Sequence, residues 1–203
     1  MSNKAKIAVL VSGGGTNLQA LIDAQNSGIV CSGEIKLVIS NNEGAYAIQR
    51  AKNASITTKV CDKKVLGDEF EDTLIEVLED NNIDIIVLAG FMCILSEKFT
   101  SHFANRIINV HPSLIPSFCG KGFYGLRVHE AALAYGVKVT GATVHFVNEI
   151  PDGGKIIMQK AVYKKENDTA ETLQRRVMEE AEWKILPLAV EKVSNEILKD
   201  KGE

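Results

Sequence analysis

Lys6-Ile7-Ala8-Val9-Leu10-Val11-Ser12-Gly13-Gly14-Gly15-Thr16-Asn17 is the stretch that decides the fold. Its continuous apolar run reads as a strand buried on both faces, as in a parallel sheet. The glycines make a turn, and 17–24 follows with helical spacing through Leu18, Leu21 and Ile22. Strand, turn and helix in that order begin a βαβ unit. Reading outward, the pattern predicts a strand over 35–39, a helix over 45–52 and a short strand over 57–60. An amphipathic helix follows over 69–80, with Phe70, Leu74, Val77 and Leu78 on one stripe. Residues 84–89 make the most strongly buried-looking strand. This alternation predicts an α/β fold, a Rossmann-like, mostly parallel sheet flanked by helices.

After Asn109 the rhythm changes. A loop from His111 to Tyr124 leads to a helix near 128–134. Two longer strands, 137–147 and 155–162, flank the turn Pro151-Asp152-Gly153-Gly154. Residues 169–198 read as mainly helical, interrupted near Pro187. The C-terminal half is thus expected to be a mixed or antiparallel extension. No stretch rich in Pro, Gly or Ser divides the chain, so 1–203 is expected to be one domain with halves 1–110 and 111–203.

A glycine loop between a strand and a helix can hold an anion. Glycines let the backbone approach, and the helix start offers free N–H groups and a positive dipole end. No lysine follows Gly15, which excludes the P-loop. Leu18 stands where the dinucleotide fingerprint needs a third glycine, and the second strand ends in Ser40-Asn41-Asn42 without an acidic ribose ligand. The functional reading that survives is a single phosphate on Gly13, Gly14, Gly15, Thr16 and Asn17.

Asn109-Val110-His111-Pro112-Ser113-Leu114-Ile115-Pro116 ends the apolar run that begins at Arg106. Alternate strand residues share a face, so Asn109 and His111 can aim at one point. An amide donor beside an imidazole suits a reaction that builds negative charge on a carbonyl oxygen. A carboxylate such as Asp152 would orient the imidazole and favour its protonated form.

Composition narrows the rest. The net charge is −3 and no basic block occurs, which argues against a general nucleic-acid binder. Cys31, Cys61, Cys93 and Cys119 form no C-x-x-C pair, so they read as reduced thiols. Cys119 lies in a Gly-rich loop near His111, where a Cys–His nucleophile pair is conceivable, although the loop carries no thiol-enzyme signature. His102, His129 and His145 lack metal-ligand spacing and read as structural or loop residues, and no metal is implied. There is no apolar signal run ahead of a cleavage site and no apolar stretch long enough to span a bilayer, so a cytoplasmic protein is expected.

Asn109-x-His111-Pro112-Ser113-Leu114-x-Pro116 resembles the signature of the 10-formyltetrahydrofolate-dependent formyltransferases. Further segments resemble one branch of them, the glycinamide ribonucleotide formyltransferases of purine (IMP) synthesis, over nearly the whole chain. These are Val11 to Ala20, Val87 to Leu95, Thr143 to Val147 and Asp152-Gly153-Gly154. The resemblance implies that the ribonucleotide amine attacks the formyl group of 10-formyltetrahydrofolate through a tetrahedral oxyanion. It assigns Asn109 as donor to the formyl oxygen and His111, as imidazolium, as oxyanion stabiliser and proton donor. Asp152 would raise the His111 pKa. Gly13 to Asn17 would hold the ribonucleotide phosphate, and Glu182 would sit near its amine. Phe91, Met92, Cys93, Ile94, Leu95, Val147 and Asn148 would line the folate pocket with Asn109 and Asp152. Any of the apolar ones could equally be plain core.

Cys93 departs from the arginine frequent in relatives, so no side-chain contact is assigned to it. The loop 117–126 is longer than in some relatives, and Arg127 could hold substrate or orient that loop. The implied partners are the two small molecules, without nucleic acid or membrane, to a monomer or homodimer. Two neighbouring activities compete. Formyltetrahydrofolate hydrolase usually carries a domain ahead of the first strand, and methionyl-tRNA formyltransferase carries an RNA-binding domain after the last helix. A non-catalytic folate- or nucleotide-binding protein is the third alternative. It has no need of an acid beside an oxyanion donor.

Overall fold

A computed structural model of the chain describes residues 4–202. The elements in order are β1 (Ala5–Val11), α1 (Thr16–Asn26), β2 (Gly33–Ser40), α2 (Tyr46–Asn53), β3 (Thr57–Val60), α3 (Lys63–Leu66), α4 (Phe70–Asp80), β4 (Ile85–Leu88) and α5 (Glu97–His102). There follow β5 (Ile107–His111), α6 (Leu126–Tyr135), β6 (Val139–Phe146), β7 (Ile156–Tyr163), α7 (Ala170–Val177) and α8 (Trp183–Asp200). A π turn, Met178–Glu182, joins α7 to α8.

One seven-stranded sheet runs through both halves in the order β3-β2-β1-β4-β5-β6-β7. The pairs from β3 to β5 are parallel, and β6 and β7 add antiparallel. The expected mostly parallel sheet with a mixed C-terminal extension is therefore the architecture observed. Along β1, Ile7, Val9 and Val11 enter the core layer shared with α1 and α8, whereas Ala8 and Leu10 enter the layer shared with α4 and α5. Both faces are covered, which is why β1 reads as a continuous apolar run. The strand order reverses between β1 and β4, and loops at the carboxyl ends of strands beside such a switch form a crevice.

Three elements differ from the sequence reading. Helices α3 and α5 were not anticipated; α3 buries none of its residues, and α5 is a short helix capped by Ser96, whose Oγ accepts from Phe99 N–H. Neither is long enough to show a period. The predicted interruption near Pro187 is absent: α8 runs through Pro187, in its second turn, and the helical ladder departs from α geometry upstream, at the π turn. A proline near a helix start forfeits only one backbone hydrogen bond.

Candidate active site

The glycine loop is built as a close-approach turn. Gly15 caps α1 with φ 71°, and a Cβ there would sit 2.6 Å from the Ala47 Cβ. Only glycine satisfies both conditions. No side chain caps α1, so its first amides are left for an external acceptor. Added Cβ atoms at Gly13 and Gly14 would meet open space, as a ligand-facing backbone requires. Helix α2 braces the loop: Ala47 N–H donates to Gly13 O at 3.0 Å, and Arg50 Nε donates to Gly14 O at 2.8 Å. Arg50 lies over the Tyr46 ring, 5.0 Å from its centroid, and brings to the loop the positive charge that its sequence lacks.

The first residue of the loop faces another way. Ser12 Oγ accepts from Met92 N–H at 2.7 Å, tying the loop to the segment after β4. Asn17 ties it to the far end of the chain, donating from Nδ2 to Glu182 Oε2 at 2.8 Å. Glu182 sits on the π turn, only 6% exposed, and burial pushes its carboxyl up to about 7 against the opposing donation from Asn17. The Asn17 Oδ1 is buried with no partner, an acceptor available to a donor that enters the cleft.

Strand β5 supplies the central pair. In the β5–β6 register Asn109 lies opposite His145, and His111 opposite Thr143. His111 is 4% exposed. Its Nε2 donates to the Phe118 carbonyl at 2.9 Å, and its Nδ1 lies 3.4 Å from Asp152 Oδ2. Burial lowers the His111 pKa and outweighs the upward pull of Asp152 and of the Phe118 carbonyl. Asp152 thus acts in the expected direction, but the net shift is downward and the resting ring is less basic than a free histidine. Burial would push the Asp152 carboxyl up. His145, by hydrogen bond and charge when its ring is protonated, the charge of a protonated His111, and Gly120 N–H at 2.8 Å bring it below its ordinary value.

The turn that aims Asp152 is tight. Asp152 has φ 57°, a conformation aspartate tolerates better than most residues. A Cβ on Gly154 would overlap the Phe146 carbonyl oxygen at 1.7 Å. The motif exit is also pinned. Thr143 Oγ1 donates to Ser113 O at 2.7 Å and accepts from Ile115 N–H at 3.1 Å, and Ser113 Oγ donates to Ser117 O at 2.5 Å.

These groups converge on a cleft of about 700 Å³. Phe91 to Leu95, Asn109, His111, Val147, Asn148, Asp152, Asn17 and Glu182 all line it. Leu95 also belongs to the core, whereas Met92 and Ile94 are 57% and 69% exposed, which places them on the pocket side. Gly13 to Thr16 do not line the cleft; they adjoin it through Asn17. Arg127 packs over Tyr124, 4.9 Å from the ring centroid, and does not line the cleft. The Cys119 thiol is pushed up by burial and by Asp152, and it donates to Pro116 O instead of engaging His111. That removes the basis for a thiol nucleophile.

The expectation for the other histidines is corrected in part. His102 pairs with Glu79 at 2.8 Å away from the cleft, but His129 and His145 line it. His129 is fully buried without a hydrogen-bond partner, and its pKa is pushed down to about 4 by burial and by His111. The missed signal for His145 was its two-residue step from Thr143 on a strand, which puts both on the face that meets Asn109 and His111.

Residues 5–190 match the formyl transferase family. The chain belongs to the formyl transferase family. Within it, the chain is 43% identical over 187 residues to the phosphoribosylglycinamide formyltransferase of Haemophilus influenzae, covering 91% of this chain and 85% of that one. It is 45% identical over 196 residues to the trifunctional purine biosynthetic protein adenosine-3 of Gallus gallus, covering 96% of this chain but 19% of that much longer protein. The crystal structure of the formyltransferase named phosphoribosylglycinamide formyltransferase from Anaplasma phagocytophilum superposes with a TM-score of 0.85. There the identity is 39%, with coverage of 96% of this chain and 89% of that one. A glycinamide ribonucleotide transformylase of Symbiobacterium toebii gives 0.86 at 39% identity, with coverage of 94% and 88%. The formyl transferase fold thus accounts for the sheet order and for the extension after β5.

Proposed function

We propose that the chain transfers the formyl group of 10-formyltetrahydrofolate to the amine of glycinamide ribonucleotide, a step of purine synthesis. The observation that carries this reading is that an acidic residue near neutrality and an amide–imidazole–carboxylate set line one cleft, which a braced glycine loop adjoins through Asn17. The apolar wall of Phe91, Ile94, Leu95 and Val147 suits a fused-ring folate, and the glycine loop with Arg50 suits a phosphate.

In this reading Asn109 Nδ2 donates to the formyl oxygen as charge grows on it. His111 Nε2 already donates to a carbonyl oxygen, that of Phe118, and the substrate oxygen takes that acceptor's place. The ring needs no standing charge at rest. An oxyanion beside it adds a second negative neighbour to Asp152, and both favour uptake of a proton from solvent to give the imidazolium. The proton on Nδ1 then faces Asp152, and the proton on Nε2 is available to the departing folate nitrogen. Glu182 and the unpartnered Asn17 Oδ1 accept hydrogen bonds from the substrate amine, and the ionised form of Glu182 takes up the proton that the attacking nitrogen must lose.

The test is folate deformylation with and without glycinamide ribonucleotide. Turnover that requires the ribonucleotide and yields its formyl derivative supports the transferase. Equal turnover without it makes the chain a hydrolase, and tight folate binding without turnover makes it a binding protein.

A further inference from the structure

His145 is one of two cleft histidines, with His129, that the reaction as described leaves without a task, and its surroundings define its proton arrangement. It is 1% exposed and lies opposite Asn109 in the β5–β6 register. Its Nδ1 is 2.8 Å from the Phe146 carbonyl oxygen, which can only accept, so Nδ1 carries a proton. In the neutral ring Nε2 is then a bare lone pair. The Asn109 carboxamide lies 3.3 Å away through Nδ2, the one atom of that side chain that can donate to it. We propose that His145, as the neutral ring protonated on Nδ1, is a positioning residue that fixes which way the Asn109 carboxamide faces.

The consequence follows from the amide's inventory. A carboxamide has two N–H donors on one atom and an acceptor on the other. Spending one N–H on His145 holds the nitrogen on the cleft side and leaves the second N–H for the formyl oxygen. Rotated by half a turn, the same side chain would present its own oxygen to a developing oxyanion and repel it. Asp152 Oδ1 lies 3.6 Å from the same Nε2, so a proton there would redirect the ring to Asp152 and free Asn109 to rotate. The irregularity in β7, where Ile157 is left unpaired between Met158 and Ile156, falls opposite Val144 and His145 and sets this ring at the end of the β6–β7 ladder, beside the turn that carries Asp152.

The inference rests on the reading of Asn109 given above, and its test separates the two. The first measurement is the ¹⁵N spectrum of the imidazoles in the full-length protein, with His145 assigned by comparison with His145→Gln. A His145 signal with Nδ1 protonated and Nε2 bare is expected, and the opposite tautomer would overturn the proposal without any turnover being measured.

The second is a double-mutant cycle. His145→Leu is expected to lower kcat about tenfold or more with little change in ribonucleotide KM, and to cost nothing further in an Asn109→Ala background. His145→Gln, whose Oε1 can accept from Asn109, is expected to recover most of the rate. Equal losses in both backgrounds, or Gln as slow as Leu, would make His145 a structural residue. Full activity in Asn109→Ala alone would bring down the Asn109 assignment and this inference together.

Discussion

At the scale of single residues, the site is a set of groups whose charges are decided by neighbours. Asn109 and His111 are expected to be worth most in the transition state, because each donates to an oxygen whose charge grows only there. Asn109→Ala and His111→Ala should each lower kcat about a hundredfold or more, with an unchanged circular dichroism spectrum. A folded His111→Ala protein of normal activity would remove the proposed chemistry. Asp152→Asn tests the electrostatics separately. The amide can still accept from Gly120 N–H, but it no longer offsets the burial that depresses the His111 pKa. That pKa should therefore fall further, and a reaction needing the imidazolium should lose rate at a lower pH than the parent does. A log(kcat/KM) profile whose alkaline limb stays in place would show that the Asp152 charge does not act through His111.

At the scale of elements, what the sequence reveals follows from where each signal is stored. β1 and β4 are legible because both faces are buried, so their apolar runs are unbroken, and the turn is legible because Gly15 is the residue its geometry demands. Gly15→Ala should cost about 1–3 kcal/mol, since it adds a left-handed backbone penalty to a clash with Ala47, and it should raise the ribonucleotide KM. Thermal melts and initial rates of the variant check both parts. A variant with parental stability would mean that α2 moves aside freely.

The shared face of Asn109 and His111 was likewise readable from strand alternation, and both line the cleft. The pairing of Asn109 with His145 was not readable, because a cross-strand register is a tertiary choice. The Asn17–Glu182 bond joins opposite ends of the chain and leaves no local trace. The π turn that carries Glu182 is equally silent, since its apolar spacing resembles that of ordinary helix and Pro187 draws the eye downstream.

At the scale of the whole molecule, the cleft sets two buried groups against each other in the pH dependence of stability. The Glu182 carboxyl is raised from 4.5 to about 7, so the folded state holds its proton longer than the unfolded chain does. Its contribution favours folding at low pH and is lost as pH rises from the unfolded to the folded value. His129 is lowered from 6.5 to about 4, so the unfolded chain takes the proton first, and stability is lost as pH falls through that window. His111, also lowered, has the same sign as His129. Each of the two large shifts corresponds to roughly 3 kcal/mol at the plateau, and between about pH 4.5 and pH 6.5 they oppose and nearly cancel.

Single variants should expose what the parent hides. Glu182→Gln retains an acceptor for Asn17 but has no charge to bury. It should gain on the order of 2–3 kcal/mol over the parent near pH 8 and little near pH 4.5, while its catalysis falls. His129→Phe replaces an unpartnered imidazole by an apolar ring of similar size, so its gain should appear on the acid side instead. Urea midpoints of the parent and both variants across this range measure the two slopes. If Glu182→Gln were no more stable than the parent near pH 8, the carboxylate would have to be stabilised in the cleft by more than Asn17. Glu182 would then enter the reaction already ionised, and the substrate amine would meet a standing charge instead of a carboxyl poised to exchange its proton.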